Sequence, residues 1–434
     1  RYCFKRNQLA SLGLDAARVS DAAALDTDCV DITQQLPGAQ AELDLATLRL
    51  DLTIPQAFLK LPSRGYVDPR EWDRGVTAGF IDYNANAYRN DGRGQESTQL
   101  YTGLNVGLNI GNWRLRHNGS YSQSSGSGPT TSHYDAVSSY AQRDLTGLKS
   151  QLTLGEYYTP SSLFDSVPYT GVQLSSDDRM LPDSQRGYAP VVRGTARTNA
   201  KVTIRQNGVT LYETTVAPGP FEINDLYPTG YGGDLQVSVT EADGSVHQFS
   251  LPYAAVPLLL RTGQNRYSLV AGAVRMQQGS SSPLFAQGTW QRGVNNTLTA
   301  YGGMTFAQGY AAAMAGGAFN TAFGALGADV TYARTAVPNG THMGGSSMRV
   351  NYARSIAATN TSIALAAYRY STSGYFGLDD AMLMREGFRN TGSVDTVWRA
   401  RNRASVTLSQ RLGEIGGQVS VMASTANYWN RGGS

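Results

Sequence analysis

The feature that most constrains this chain is a two-residue hydropathy period, held over stretches of about ten residues at a time. In LYTGLNVGLNI, Leu100, Leu104, Val106, Leu108 and Ile110 share one face, with Thr102 the exception, while Tyr101, Gly103, Asn105, Gly107 and Asn109 share the other. Side chains alternate across a strand, so such a segment is greasy on one side and small or polar on the other. The pattern recurs. Ala404, Val406 and Leu408 alternate with Ser405, Thr407 and Ser409, and Val419, Val421 and Ala423 alternate with Ser420, Met422 and Ser424. Leu298, Ala300, Met304 and Phe306 alternate with Thr297, Thr299, Tyr301 and Thr305. In NWRLRHNGSYS the polar face holds Arg114, Arg116, Asn118 and Ser120.

A soluble sandwich also alternates, so number and length decide. We count about fifteen such segments of roughly ten residues or more, the length a tilted membrane-spanning strand needs. Soluble strands average about 5–6 residues. Connections such as IGNW and RGVNNT are short and rich in Gly and Asn, and Tyr157-Tyr158 and Tyr428-Trp429 sit near strand ends, where interface girdles lie. No run approaches the roughly 18 apolar residues of a spanning helix, and AAVPLLL at 254–260 is far too short. A chain of this kind crosses a membrane as a closed barrel. Composition agrees: 48 Gly, 25 Tyr and 16% charged residues favour many strands, tight turns and aromatic belts. The competing reading is a long-stranded soluble β protein.

One stretch breaks the pattern. In RGTARTNAKVTIRQNGVTLYETT the strands are shorter and more charged, Val202 and Ile204 alternate with Lys201, Thr203 and Arg205, and Asn207-Gly208 supplies a two-residue turn. A second hairpin carries Leu235, Val237 and Val239 into a turn at Asp243-Gly244 and returns through SVHQFSL. Between them VAPGPFEINDLYPTGYGGD reads as loop. Together they predict a β-sandwich over 188–257.

The first sixty residues differ again. RNQLASLGLD predicts a turn or two of helix, and AELDLATLRLDLTIP alternates like a strand, as in a small α+β domain. LPSRGYVDPREWDRG reads as a linker. The division expected is a remnant domain over 1–60, a linker over 61–73, six long strands over 74–187, the sandwich, and further long strands over 258–434. RYCFKRNQ has no initiating Met and no signal peptide, so the chain is expected to begin inside a cut or truncated product. Cys3 and Cys29 read as a disulfide, which places them in an oxidising compartment and contributes on the order of 3 kcal/mol; the alternative is two unrelated buried thiols.

The sequence offers little chemistry. A net charge of +3 without a basic run gives no footprint for nucleic acid. His117, His133, His247 and His342 show neither triad nor metal-ligand spacing and read as surface or strand histidines, His117 facing outward. No catalytic residue, cofactor or metal is expected, and an outer-membrane protease or phospholipase is the weaker reading.

Four blocks resemble a known family: RLDLTIPQAFL, RGYVDPREWDRGVTAGFIDYNANAY, SDDRMLPDSQRGYAPVVRGTA and APGPFEINDLYPTGYGGDLQVSVTEADGS are similar to the outer-membrane fimbrial ushers of chaperone–usher pilus biogenesis. The resemblance runs over nearly the whole chain. It implies an all-β fold: a large transmembrane antiparallel barrel, here incomplete, with the β-sandwich as a plug after the sixth strand and a partial N-terminal periplasmic α+β domain. Strands read near 74–88, 98–110, 112–123, 138–144, 150–157 and 170–180, which is six. Measured against the family, the chain is expected to lack the front of the N-terminal domain, the barrel strands after about the fifteenth at NYWNRGGS, and the C-terminal domains. The expectation is a fragment of an usher or a truncated gene product.

The function implied is recruitment of periplasmic chaperone–pilin subunit complexes, and secretion and assembly of pilus subunits through a plug-gated pore in outer-membrane lipid. A wide polar lumen needs a stopper that is content in water, which a soluble sandwich provides. YFGLDDAMLMREGFRN, between the thirteenth and fourteenth strands, has helical spacing, and the resemblance implies that a helix in this region helps hold the plug, which nominates Asp379, Asp380, Arg385 and Glu386 as a plug latch; the alternative is an ordinary extracellular loop. The resemblance gives the hairpin at about 150–180 a similar role. The second functional reading is a plugged porin or substrate-specific transporter.

Overall fold

The computed structural model describes residues 4–5, 8–9, 13–15, 29–45, 49–59, 63–92, 95–126, 128–206, 208–229, 234–251, 253, 258–276, 282–356, 359, 361–412 and 416–430. Six long strands come before the inserted module: β3 Ala78–Gly92, β4 Gln95–Ile110, β5 Trp113–Gly126, β6 Thr131–Leu145, β7 Ser150–Tyr158 and β8 Pro168–Ser176. Nine follow it: β15 Asn265–Val274, β16 Leu284–Gly293, β17 Leu298–Ala307, β18 Tyr310–Thr321, β19 Gly324–Ala336, β20 His342–Ile356, β21 Thr361–Ser371, β22 Ala400–Arg411 and β23 Gln418–Tyr428. All belong to one 15-stranded antiparallel sheet, and β8 pairs directly with β15, with Leu174 opposite Leu269. The insert therefore leaves the wall without interrupting it. Among the described residues, β3 and β23 are the two edges of the sheet.

The two faces of this sheet are inverted relative to a soluble protein. On β17, Thr299 and Thr305 are buried while Met304 and Phe306 are more than half exposed, at 55% and 54%. On β19, Asp329, Thr331 and Thr335 are buried while Val330 and Tyr332 are exposed. Water penalises that arrangement, because it leaves apolar area wet and buries polar groups. Hydrocarbon outside and a filled, polar interior inside remove both penalties.

The inserted module has β10 Ala200–Gln206, β11 Val209–Val216, β13 Leu235–Thr240 and β14 Val246–Leu251 in a sheet of order β11-β10-β13-β14, faced by β9 Val192–Ala196 paired with β12 Gly219–Ile223. Alternation sends Val202, Ile204, Val237 and Val239 into a core closed by Phe221 and Ile223. Glu241 accepts from the backbone N–H groups of Arg197 and Thr198 and from the Thr198 hydroxyl, and the bond from the Arg197 N–H leads in holding its carboxyl below the usual range.

Several expectations are corrected. The stretch after residue 40 is a hairpin rather than one strand: β1 Gln40–Asp44 pairs with β2 Arg49–Thr53, Leu43 opposite Leu50. Folding back gives each half the backbone partner that one long strand would lack. The segment expected as loop between the plug hairpins contains β12, which tolerates Pro220 because its sheet has only two strands. The strand expected to run to 180 ends at Ser176, where the Asp177 carboxylate caps a short 3₁₀ turn by accepting from the Arg179 N–H. The strand expected at 138–144 is the end of the longer β6. Of the predicted helix near the start, Gln8 and Leu9 are helical and 6–7 and 10–12 lie outside the described residues. Asn207 also lies outside them, and its partner Gly208 has φ +82°, as such a turn requires. Cys29 is disulfide-bonded, and Cys3 lies outside the described residues.

Candidate functional site: a sandwich seated in the lumen

The core of the sandwich does not stop at its own surface. It continues through Tyr188 and Tyr253 on its two stems onto Tyr301, Met314, Ala318 and Ala325 of the inner wall. Leu163, from the tip of the β7–β8 hairpin, joins the same cluster and is fully buried. The tip is thus folded inward over the sandwich rather than outward into solvent.

Three contacts hold that tip. Arg349 on β20 donates to the Leu163 carbonyl at 3.0 Å and to Asp329 on β19 at 2.9 Å. Asp329 also accepts from the Tyr301 hydroxyl at 3.3 Å and has a side chain only 2% exposed, so its charge is neutralised inside the wall. Asp165 pairs with Arg369 on β21 at 2.9 Å. The Phe164 ring then lies over Gly303, where a Cβ would come within 2.8 Å of it, so the wall is glycine where the tip approaches closest.

The segment with helical spacing forms a helix over Leu378–Thr391, closed by Gly392 in the left-handed region. Ala381, Met382 and Met384 pack with Tyr310, Ala333 and Val337 of the wall and with Val167 and Tyr169 of the hairpin. Asp379 and Asp380 lie in the first turn, where the helix dipole favours negative charge. They line a cavity of about 190 Å³ between helix and hairpin tip, together with Asp165 and Arg369. Asp380 is half-buried, and burial, followed by the charges of Asp379 and Asp165, pushes its carboxyl up to about 6 against the opposing pull of Arg369 and Arg403. Arg385 points away from the tip and donates to the Ala336 carbonyl of the wall; burial, with Arg389 beside it, lowers its pKa. Glu386 pairs with Arg389 one turn along at 3.9 Å. Of the four nominated charges, the structure brings Asp379, Asp380 and Glu386 to cavities that Asp165 of the hairpin also lines, and sends Arg385 to the wall.

At the other end of the sheet the segment that precedes β3 grips the sandwich. Arg64 donates to the Asp225 carboxylate at 3.1 Å and to its carbonyl at 2.8 Å, and its guanidinium stacks over Tyr212 and Tyr227 at 4.5 and 4.6 Å. Gln56, from the N-terminal domain, accepts from the Glu222 N–H at 2.7 Å. Arg261, on the outgoing stem, is buried and donates to the carbonyls of Gly187, Asn224 and Leu226. Burial lowers its pKa to about 10. Sequence reasoning missed Arg64, Asp165, Arg261, Asp329, Arg349 and Arg369. Asp329 carried a signal, as an acidic residue at a polar-face position of a greasy strand.

Comparison with known proteins supplies the family. A family model described as "Outer membrane usher protein" matches residues 101–434, and one described as "PapC N-terminal domain" matches residues 1–87. The chain belongs to the outer membrane usher family. It is 41% identical to the outer membrane usher protein FimD of Escherichia coli K12, over 98% of this chain and 51% of that protein, and 40% identical to MrkC of Klebsiella pneumoniae, over 90% and 47%. The chain spans about half the length of the curated relatives it matches. Among solved structures it resembles the E. coli P pilus tip assembly intermediate PapC-PapD-PapK-PapG, with 32% identity and a TM-score of 0.64 over 99% of this chain and 53% of that one. It also resembles the usher PapC translocation pore, with 31% identity and a TM-score of 0.51 over 80% and 77%. This usher is an outer-membrane β-barrel protein with a periplasmic N-terminal part.

Proposed function

We propose that this usher recruits chaperone–pilin subunit complexes at its periplasmic face and passes pilus subunits through a lumen that the 188–257 sandwich closes at rest. The observation that carries the reading is the inverted sheet: a greasy exterior around a polar interior that is filled by a module with its own soluble core. The similar PapC chain captured with PapD, PapK and PapG in a pilus tip assembly intermediate supports these partners. The reading assigns no catalytic residue. Joining subunits by strand addition needs position and a channel, not bond chemistry.

The proposed units are a periplasmic domain over 1–60, braced by a Cys3–Cys29 disulfide, a linker over 61–73, wall strands on either side of the plug, and the plug itself. The proposed latch is the hairpin tip, held down by Arg349 and Arg369. Asp379, Asp380 and Glu386 act on that tip, while Arg385 seats the helix on the wall. The test is ion conductance of the intact protein in planar bilayers with and without residues 188–257. Deletion is expected to convert a closed channel into a steadily open one; unchanged conductance would overturn the proposal.

A further inference from the structure

The turn between β16 and β17, in RGVNNT, carries two asparagines with different work. Asn295 builds the turn: its side-chain oxygen accepts from the N–H groups of Thr297 and Leu298, both at 2.8 Å. Asn296 is not needed for that geometry and faces the plug stem. Its amide nitrogen donates to the Val191 carbonyl at 2.7 Å, and its amide oxygen accepts from the Val191 N–H at 2.9 Å. One side chain thus pairs with a single residue of the incoming stem as a neighbouring strand would. The same oxygen accepts from the Thr262 hydroxyl of the outgoing stem at 3.2 Å. The Asn296 carbonyl accepts from Tyr188, whose hydroxyl in turn accepts from Asn320 of β18 at 2.9 Å, and Tyr253 donates to the Tyr188 carbonyl at 3.0 Å.

We propose that Asn296 is a positioning residue for gating: it locks both plug stems to the wall, at the opposite end of the sheet from the hairpin and helix. This deepens the plug-gated reading and rests on it. The module cannot swing out of the lumen while Val191 and Thr262 are tied to the 294–297 turn, because these residues are the two ends of its attachment. Half-buried amide bonds suit a lock that must open, since an amide that leaves Val191 finds water instead. A buried ion pair there would strand charge on opening.

The test compares Asn296→Ala, Asn296→Asp and deletion of 188–257 in the intact protein, by planar-bilayer conductance, amide exchange at Val191 and heat stability of the barrel. Asn296→Ala removes both bonds to Val191, so exchange at Val191 and the frequency of openings are expected to rise about 30-fold. Asn296→Asp keeps the acceptor but turns a carboxylate oxygen toward the Val191 carbonyl, so it is expected to open the channel as well, and it decides the matter if the alanine variant does not insert. Heat stability of the barrel is expected to stay unchanged. Open deletion channels beside variants that stay closed would overturn the lock and leave the plug standing. Openings that rise only in step with a weaker barrel would make Asn296 merely structural, which also overturns the lock. A deletion channel that stays closed would overturn the plug-gated reading itself.

Discussion

Replacing Arg349 and Asp329 singly and together separates the wall's buried ion pair from its grip on the hairpin tip. Asp329 is the more deeply buried partner, its side chain 2% exposed against 15% for Arg349. Removing one member of such a pair leaves an uncompensated charge and costs about 3–5 kcal/mol. Asp329→Asn leaves Arg349 unpaired but keeps its bond to the Leu163 carbonyl and an acceptor for Tyr301, so its cost falls at the low end, about 3 kcal/mol. Arg349→Met strands the Asp329 charge and also frees Leu163, adding about 1.5 kcal/mol or more for a lost charge-assisted bond. In the double variant no charge is stranded and the loss reduces to the Leu163 contact, about 1–3 kcal/mol. The double variant is therefore expected to be more stable than Arg349→Met alone. Urea unfolding from lipid vesicles gives the three costs, and amide exchange across 159–167 reports the tip. The tip is expected to loosen in Arg349→Met and in the double variant and to stay protected in Asp329→Asn. Single costs that add in the double variant to within about 0.5 kcal/mol would refute the coupling. A tip equally loose in all three would refute the role given to the Leu163 bond.

Three further outcomes follow from the same contacts. Asp380 has a carboxyl raised to about 6, so its charged form is disfavoured in the folded protein. Stability is lost as pH rises from about 4 through about 6, by at most about 3 kcal/mol; thermal melts are expected to rise on going from pH 8 to pH 5, and Asp380→Asn is expected to flatten that dependence. Arg64→Ala removes an ion pair and stacking on two tyrosines, worth about 2 kcal/mol together, and is expected to speed proteolysis of the linker around residues 63–73 without altering the barrel's heat stability. Val330→Arg places a charge mid-strand on the exposed greasy face and is expected to cost about 2–4 kcal/mol in folding into vesicles, against little for Val330→Ala.

How far the sequence could be read follows from what periodicity reports. Alternation states which side chains of a strand share a face, so β4, β17, β22 and β23 were legible, and the helix between the thirteenth and fourteenth strands showed its own period. The sandwich was legible because Val202, Ile204, Val237 and Val239 alternate in strands too short to span a membrane. What pairs across the lumen leaves no local trace. Asp165 and Arg369 are 204 residues apart, and Arg349 reaches Leu163 across 186. Those contacts exist because the sheet curls and the hairpin tip turns inward, and neither is encoded in any ten-residue window. Arg261 reads as an ordinary charge before a strand, although closure buries it against three carbonyls. Asn296 reads as a turn residue, and its neighbour Asn295 alone fills that role. The one strand expected after residue 40 failed because a change of phase was passed over: Leu43 and Leu45 stand at odd positions and Leu48, Leu50 and Leu52 at even ones, and the chain folds back at that break.

The most direct test of the account places nitroxide labels at Met304, Phe306, Val330 and Tyr332, and at Thr305 and Thr331, in the intact protein reconstituted in vesicles. Relaxation by oxygen and by a water-soluble nickel chelate then reports lipid and water. The first four are expected to meet oxygen but not the chelate. The two threonine positions line the cavity beneath the hairpin tip and the helix and are expected to be shielded from both. Chelate access at the first four would contradict a lipid-facing exterior, and chelate access at Thr305 and Thr331 with the sandwich in place would contradict a filled lumen.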